Sequence, residues 1–336
     1  MTTEILPTHT AALFNTAVKR AAELLRAGEV VALPTETVYG LAANALNEKA
    51  VNKIYEIKGR PAHNPIIVHV AGNEMARTCV SQWPVLAEEF SRAFWPGPLT
   101  LVLLRTKIIP DNVSAGGATV GVRWPSHPFM QAVIRECGFP LAAPSANLSN
   151  QISPTNARHV HAQLAGKISL IVDGGQSQVG IESTVLDLTV SPPNILRPGM
   201  IHAESLAAVG GEVQNPNSKV QSQVALKSPG LLKKHYSPKA KLLVLDWQDD
   251  ADLQAQLAAH RSPLATFFVI AHTKIPGGLR AENVSVIPHD AEAFARALYA
   301  ELHRCDAAGA ELIVVELPPN SPEWSGIADR LRRAAA

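Results

Sequence analysis

Apolar positions recur along this chain in two periods, 3.6 residues and 2 residues, and the switches between them predict its elements. Helical spacing runs from Ala11 to Arg26, and Gly28 ends it. Val30 to Leu33 is a short buried strand that Pro34 stops. Asn47 caps a helix reaching about Ile57, and Ile66 to Val70 is a strand. Pro84 suits the first turn of a helix over Val85 to Phe94. Leu99 to Leu104 and Thr119 to Trp124 are strands, the second with alternating polarity. A helix follows over Pro128 to Cys137, and Thr155 is placed to cap another that ends at Leu164. Strands at Ile168 to Val172, Ser183 to Leu188 and Asn194 to Leu196 complete the region. Strands alternating with helices predict an α/β domain of roughly 200 residues.

The pattern then breaks. Residues 210–238 are rich in Gly, Asn, Ser, Gln and Pro and carry no clear period, which reads as a linker. The alternation resumes with a strand at Lys241 to Leu245, a helix at Ala251 to Ala259 and a strand at Thr266 to Ala271. Val284 to Ile287 is a strand, Ala291 to Cys305 a helix, Leu312 to Leu317 a strand and Ser325 to Arg333 a closing helix. These predict a second, smaller α/β domain of Rossmann-like order. It has no G-x-G-x-x-G, and so no dinucleotide is assigned to it. The expected division is residues 1–209, a linker over 210–240, and residues 241–336.

Composition narrows the class. The chain has 336 residues, 46% of them hydrophobic and 18% charged, with a net charge of +1. That balance excludes a global basic field for nucleic acid, so any basic site must be local. Cys79, Cys137 and Cys305 lie far apart without a C-x-x-C pair, as buried thiols of a reducing compartment do. No segment approaches the ~20 apolar residues of a membrane span. The expectation is a cytoplasmic protein without a membrane partner.

Several motifs are missing. Gly175 to Gly180 followed by Ile181-Glu182-Ser183 lacks the lysine of a phosphate-binding loop. There is no H-E-x-x-H and no G-x-S-x-G, and His159 and His161 read as ordinary surface histidines. What remains is a series of polar loops at strand ends, where open α/β sheets bind ligands. Lys58-Gly59-Arg60-Pro61-Ala62-His63-Asn64-Pro65 places two cations on a segment that Gly59 and Pro61 keep from continuing as helix. An arginine fork and a lysine point charge suit a polyanion such as a nucleoside triphosphate. Pro34-Thr35-Glu36-Thr37-Val38-Tyr39-Gly40 brings hydroxyls, a carboxylate and a phenol to one strand end. Arg123 ends an apolar strand and must find an anion or reach solvent. Ala143-Pro144-Ser145-Ala146-Asn147, Ser153-Pro154-Thr155, Asp173-Gly174-Gly175 and Arg197-Pro198-Gly199 close the series. Each alone is equally a glycine- or proline-driven turn. Together they hold Lys58, Arg60, Arg123 and Arg197 with no nucleophilic pair, a set suited to positioning and charge stabilisation at phosphorus. On the residues alone, Arg60, Lys58 and Arg197 are assigned to phosphate, and Arg123 to a carboxylate that it would grip with both arms of its fork.

Seven of these segments, in order, resemble the L-threonylcarbamoyl-AMP synthases of the longer kind, with a YrdC-like catalytic domain. They are Pro34 to Leu41, Lys58 to Val70, Trp95-Pro96-Gly97-Pro98-Leu99-Thr100, Val120-Gly121-Val122-Arg123, Pro144-Ser145-Ala146-Asn147, Ile181-Glu182-Ser183-Thr184-Val185 and Arg197-Pro198-Gly199. Ser228-Pro229-Gly230 and His235-Tyr236-Ser237-Pro238 mark the long form. The resemblance implies a YrdC-like twisted mixed sheet with helices, plus the smaller accessory domain. It implies that threonine and bicarbonate form a carbamate that displaces pyrophosphate from ATP, with magnesium carried by the ATP phosphates and no metal ligands from the protein. The product would pass to a tRNA threonylcarbamoyl-transfer complex, with tRNA at most a weak partner of this chain. Lys58, Arg60, Asn64, Thr119, Ser145, Asn147, Ser153, Arg197 and Tyr236 would then contact ATP, Lys58 and Arg60 as its catalytic cations. Thr37, His69, Arg123, Ala143 (through its backbone) and Ser183 would hold threonine. His69 alternates with apolar neighbours and reads equally as a core histidine, so its ligand role comes from the resemblance. Tyr236 would make the linker a lid that keeps water from the intermediate. Asn150 stands where the family carries Gly, and is the next best residue for a left-handed turn.

Two other functions compete. The same cations could serve an RNA-binding module, whose affinity would fall steeply with salt. Neutral overall charge and few aromatics in the basic loops argue against it. A different carbamoyl-adenylate chemistry on the same fold would differ in the amine it accepts.

Overall fold

The computed structural model describes residues 2–214, 228–229, 235–259 and 266–336. By spatial contact the chain divides into two units, Met1–Ser149 with Ser153–Leu231, and Asn150–Ile152 with Leu232–Ala336.

Ten strands of the first unit form one mixed sheet among the described residues. They are β1 (Glu4–Pro7), β2 (Val31–Leu33), β3 (Gly40–Asn44), β4 (Val68–His69), β5 (Leu99–Leu104), β6 (Thr119–Arg123), β7 (Leu141–Ala142), β8 (Leu170–Asp173), β9 (Thr184–Asp187) and β10 (Asn194–Arg197). Their order is β1-β8-β2-β3-β7-β4-β6-β5-β9-β10. Helices α1 (Ala11–Arg26), α2 (Glu48–Lys58), α3 (Asn73–Cys79), α4 (Val85–Phe94), α5 (Pro128–Cys137), α6 (Ala157–Leu164) and α7 (Ala203–Gly210) pack on it. The long elements follow the apolar spacing closely. β1, β3, α3 and α7 lack a strong period of their own and were not anticipated, while β7 was implied only as the strand that the Ala143–Asn147 loop follows.

Caps explain the boundaries. Asn47 accepts from the backbone N–H groups of Lys49 and Ala50, and Gly59 ends α2 at φ +59°, a conformation that favours glycine. Two starts differ from expectation. Pro84 is the extended residue before α4, not its first helical one. Asn156, not Thr155, caps α6 by accepting from the His159 N–H at 3.0 Å. Thr155 meets the His159 ring at 3.3 Å instead, which leaves that histidine half-buried while His161 stays exposed.

The two faces of the sheet are treated differently. One face builds the larger core with Leu41, Val68, Val122, Leu99, Leu101 and Leu186. On the other, α1 and α5 cover Val31, Leu33, Ala42, Leu141, Leu170 and Val172. There Phe129 packs edge-on against Phe14 with centroids 5.1 Å apart, worth about 1 kcal/mol beyond simple burial. His69 pairs in register with Leu141 and with Arg123, so it shares this second face. Beyond β7 the same face carries Ile67, Val102 and Val185 as a small apolar patch beside His69, Thr100, Thr119 and Arg123. The alternation that buries one face of β4, β5 and β6 therefore lays a polar row along the other.

In the second unit, β11 (Lys241–Leu245), β12 (Phe267–Ala271), β13 (Val284–Val286) and β14 (Leu312–Glu316) form an all-parallel sheet in the order β11-β14-β12-β13. Helices α8 (Asp250–Ala258), α9 (Ala291–Ala307) and α10 (Ser325–Ala334) accompany it. Trp247, Leu253, Leu257, Val269 and Val314 lie in its core. No described helix is long and apolar enough to cross a membrane.

Candidate active site

Arg123 is the centre of the polar row. It is 3% exposed at the end of β6, and it has company rather than solvent. Its Nε donates to Gly97 O at 3.2 Å and its Nη1 to Thr37 Oγ1 at 2.9 Å. Its Nη2 lies 2.6 Å from Glu36 Oε1 in ion-pair contact, but without the alignment of a hydrogen bond. The carboxylate that Arg123 holds in this structure is thus Glu36, which the loop pattern brought to a strand end but did not pair with Arg123. Glu36 Oε1 also accepts from Ser126 N at 3.0 Å, while Oε2 is buried with no hydrogen-bond partner. Burial pushes the Glu36 carboxyl up, but the Arg123 charge and the Ser126 N–H outweigh it and hold it below the usual carboxylate range.

His69 lies beside this pair. Burial, helped by the Arg123 charge, pushes its ring down to about 3, so it is neutral at ordinary pH. Its Nδ1 is buried without a hydrogen-bond partner. The structure thus brings Thr37, His69 and Arg123 together. Ala143 continues β7, and its N–H donates to Ile67 O at 3.1 Å.

Ser183 joins the row through its hydroxyl. Its Oγ is 2.8 Å from Thr100 Oγ1 and accepts from Arg197 Nη2 at 3.1 Å. Arg197 also donates from Nε and Nη2 to Ser183 O, and from Nη1 to Pro229 O at 3.3 Å. The Arg-Pro-Gly turn needs its glycine, because a Cβ at Gly199 would lie 2.5 Å from Thr184 N and 2.9 Å from Glu182 O. Glu182 in turn accepts from Ser153 Oγ at 2.6 Å. Ser153 is thus tied to a carboxylate rather than placed at a helix start, since α6 begins four residues later.

Lys58 and Arg60 form a second cluster. The Lys58 ammonium donates to Ser145 O at 2.5 Å, to Asn147 Oδ1 at 3.2 Å and to Asn147 O, which gives each of its three protons an acceptor. Ser145 Oγ donates to Asn147 Oδ1 at 2.5 Å. Burial and then the Arg60 charge push the Lys58 amine well below its ordinary value. Arg60 donates from Nε to Asn64 O at 3.0 Å and from Nη2 to Pro65 O at 2.6 Å. The Asn64 side chain is buried with neither polar atom hydrogen-bonded. Thr119 is half-buried at the start of β6. Lys58, Arg60 and Arg197 are all buried rather than spread into solvent. Each also secures backbone carbonyls, which the sequence did not reveal.

Tyr236 belongs to the second unit. It adopts φ +64°, packs against Tyr299 at 6.0 Å, and has the Arg330 guanidinium 5.3 Å from its ring centroid. Residues 215–227 and 230–234 of the expected lid lie outside the described residues. Among the described residues no group of three or more His, Cys, Asp or Glu could hold a metal ion.

Residues 23–199 match the Sua5–YciO–YrdC family model, described as Telomere recombination. Residues 201–336 match the model described as Threonylcarbamoyl-AMP synthase, C-terminal domain. A threonylcarbamoyl-AMP synthase of Pyrococcus abyssi is 39% identical over 95% of this chain and 94% of its own. One from Bacillus subtilis is 40% identical over 95% and 92%. The crystal structure of P. abyssi Sua5 complexed with L-threonine superposes with a TM-score of 0.90 at 37% identity, covering 100% of this chain and 98% of the other.

Proposed function

The chain belongs to the two-domain Sua5 family of threonylcarbamoyl-AMP synthases and is an enzyme of that class, and on that premise we propose that it makes L-threonylcarbamoyl-AMP from L-threonine, bicarbonate and ATP for threonylcarbamoyladenosine modification of tRNA. Threonine and bicarbonate combine to a carbamate with loss of water. A carbamate oxygen then bonds to the α-phosphorus of ATP as the bond to the β-phosphate oxygen breaks, and pyrophosphate leaves.

The observation that carries this reading is the buried polar row over β4 and β6, where His69 Nδ1 has no hydrogen-bond partner and Arg123 lies buried at the strand end. Buried polar atoms without partners are rare and costly, and a catalytic or binding role is one recognised reason they are kept. Thr37, His69, Arg123, Ala143 and Ser183 form the threonine side of the site. Arg123 still has donor capacity for a substrate carboxylate, since its described hydrogen bonds use only Nε and one Nη1 proton.

Lys58, Arg60, Asn64, Thr119, Ser145, Asn147, Ser153 and Arg197 form the nucleotide side. Its cations offset the charge that grows on the phosphates as the α-phosphorus is attacked. Lys58 acts there partly by fixing the Ser145–Asn147 loop, whose carbonyls it holds. Magnesium, which the family resemblance implies, would enter on the triphosphate.

The test is pyrophosphate release from ATP with threonine and bicarbonate omitted in turn. Release that depends on both supports the reading, and release indifferent to either overturns it.

A further inference from the structure

The threonine side of the site contains a carboxylate that the roles above do not use. Glu36 is 5% exposed, lies in ion-pair contact with Arg123 at 2.6 Å, and has one oxygen, Oε2, buried without a partner. An ionised oxygen in that condition is expensive, because nothing replaces the water it has lost. Glu36 does not serve as a surface cap, since it is almost wholly buried.

The local charge count gives it a purpose. Glu36 and Arg123 sum to zero, and the neutral His69 adds nothing. A simple carboxylate bound to Arg123 would place two anions on one buried guanidinium. An α-amino acid brings its own cation with its carboxylate, so it enters a neutral pocket as a neutral zwitterion. Its ammonium also supplies the donor that Glu36 Oε2 lacks.

We propose that Glu36 is the specificity-determining residue of the amino-acid subsite, orienting Arg123 through Oε1 and selecting through Oε2 for a substrate that carries an ammonium beside its carboxylate. This rests on the reading that threonine binds at Arg123, and it assigns a role to a side chain outside the set that the family resemblance supplied. Glu36 also keeps Arg123 from capturing the many small carboxylates that lack an amine.

The experiment measures binding of threonine and of its amine-less analogue, 2,3-dihydroxybutyrate, to the full chain by calorimetry. The wild-type protein should prefer threonine by about tenfold or more, the scale of one charged hydrogen bond. In Glu36→Gln that preference should shrink by about tenfold or more, with the analogue binding more tightly than it does to wild type. Glu36→Asp, which keeps the charge, should retain the preference for threonine. A residue with only a structural role would weaken both ligands alike, and that result overturns the proposal. If Glu36→Gln does not fold, the wild-type ratio and Glu36→Asp still decide, since a wild-type protein that binds both ligands equally also overturns it. A wild-type protein that binds no threonine refutes the underlying reading instead.

Discussion

Glu36 and Glu316 are both buried carboxylates near strand ends, one in each unit, and their surroundings differ. Glu316 ends β14 and accepts from three successive backbone N–H groups, those of His272 at 2.7 Å, Thr273 at 2.9 Å and Lys274 at 3.2 Å. The Thr273 hydroxyl donates to it as well. Burial pushes its carboxyl up, but the Thr273 hydroxyl and these N–H groups bring it below the ordinary value. The three N–H groups make an anion-binding concavity of the sort that holds phosphates elsewhere, and here the chain's own side chain fills it. Glu36 has one aligned hydrogen bond, one ion contact and one bare oxygen. A carboxylate whose shell is closed by its own fold is structural. One whose shell is left open is, on the proposal above, the one that meets substrate.

The sharpest way to break this contrast is Arg123→Ala. It should lower threonine-dependent pyrophosphate release by about a thousandfold or more, since a buried charge partner of the substrate is lost. It should also destabilise the protein by about 3–5 kcal/mol, because Glu36 is left buried and unpaired. The double variant Arg123→Ala with Glu36→Gln should recover much of that stability in urea denaturation and none of the activity. Recovery of activity would show that Arg123 does not touch substrate. The reverse profile belongs to Glu316→Ala, which strands buried N–H groups. We expect a loss of roughly 3 kcal/mol with kcat and KM of the folded protein unchanged. A Glu316→Ala protein of normal stability and altered KM would remove the distinction between the two carboxylates.

The sequence disclosed the sites of this contrast unevenly. Arg123 was legible because an arginine that ends an apolar strand must be answered by an anion, and the strand around it alternates plainly. That the answering anion includes Glu36 was not legible, since the two are 87 positions apart and meet only through the pairing of the intervening strands. The helices α1, α2, α5 and α9 were readable from their apolar spacing, with Asn47 marking the start of α2. β7, two residues long, showed only as the strand end before the Ala143–Asn147 loop, and β3 did not show at all, since its Gly-Leu-Ala-Ala-Asn run has no alternation because both of its faces are buried. Thr155 was misjudged as a cap because Asn156, one residue later, is an equally good acceptor, and only the backbone geometry decides between them. Lys58 and Arg60 were recognisable as a cationic pair. Their grip on the carbonyls of Ser145, Asn147, Asn64 and Pro65 was hidden, because backbone acceptors leave no mark in a sequence.

Acid provides a gentler test. His69 is pushed down to about 3 by burial first and the Arg123 charge second, against about 6.5 for a solvated imidazole. Between those values the unfolded chain takes up a proton that the folded chain refuses. Stability is therefore intact above about pH 6.5 and falls as pH drops toward 3, by at most ~1.4 kcal/mol per pH unit for this group. Burial pushes His272 of the second unit down too, so it contributes with the same sign. His69→Gln should remove its share of the slope between pH 7 and pH 5 in urea denaturation and should weaken threonine binding. The matching change at His272 should alter the slope alone. An unchanged slope in His69→Gln would mean that its ring accepts a proton while buried.

The smallest effect is expected where the chain passes from one unit to the other. Asn150 sits at φ +67°, in the left-handed region that glycine tolerates best, and its carbonyl accepts from Ser237 N at 2.9 Å. Asn150→Gly removes a mild steric cost in the folded chain and adds freedom to the unfolded one, and these oppose each other. The net change should stay within about 0.5 kcal/mol, with kinetics unaltered. Asn150→Val, by contrast, cannot adopt that conformation cheaply and should cost about 1–2 kcal/mol. If glycine and valine behave alike in denaturation, the left-handed turn is not held in solution.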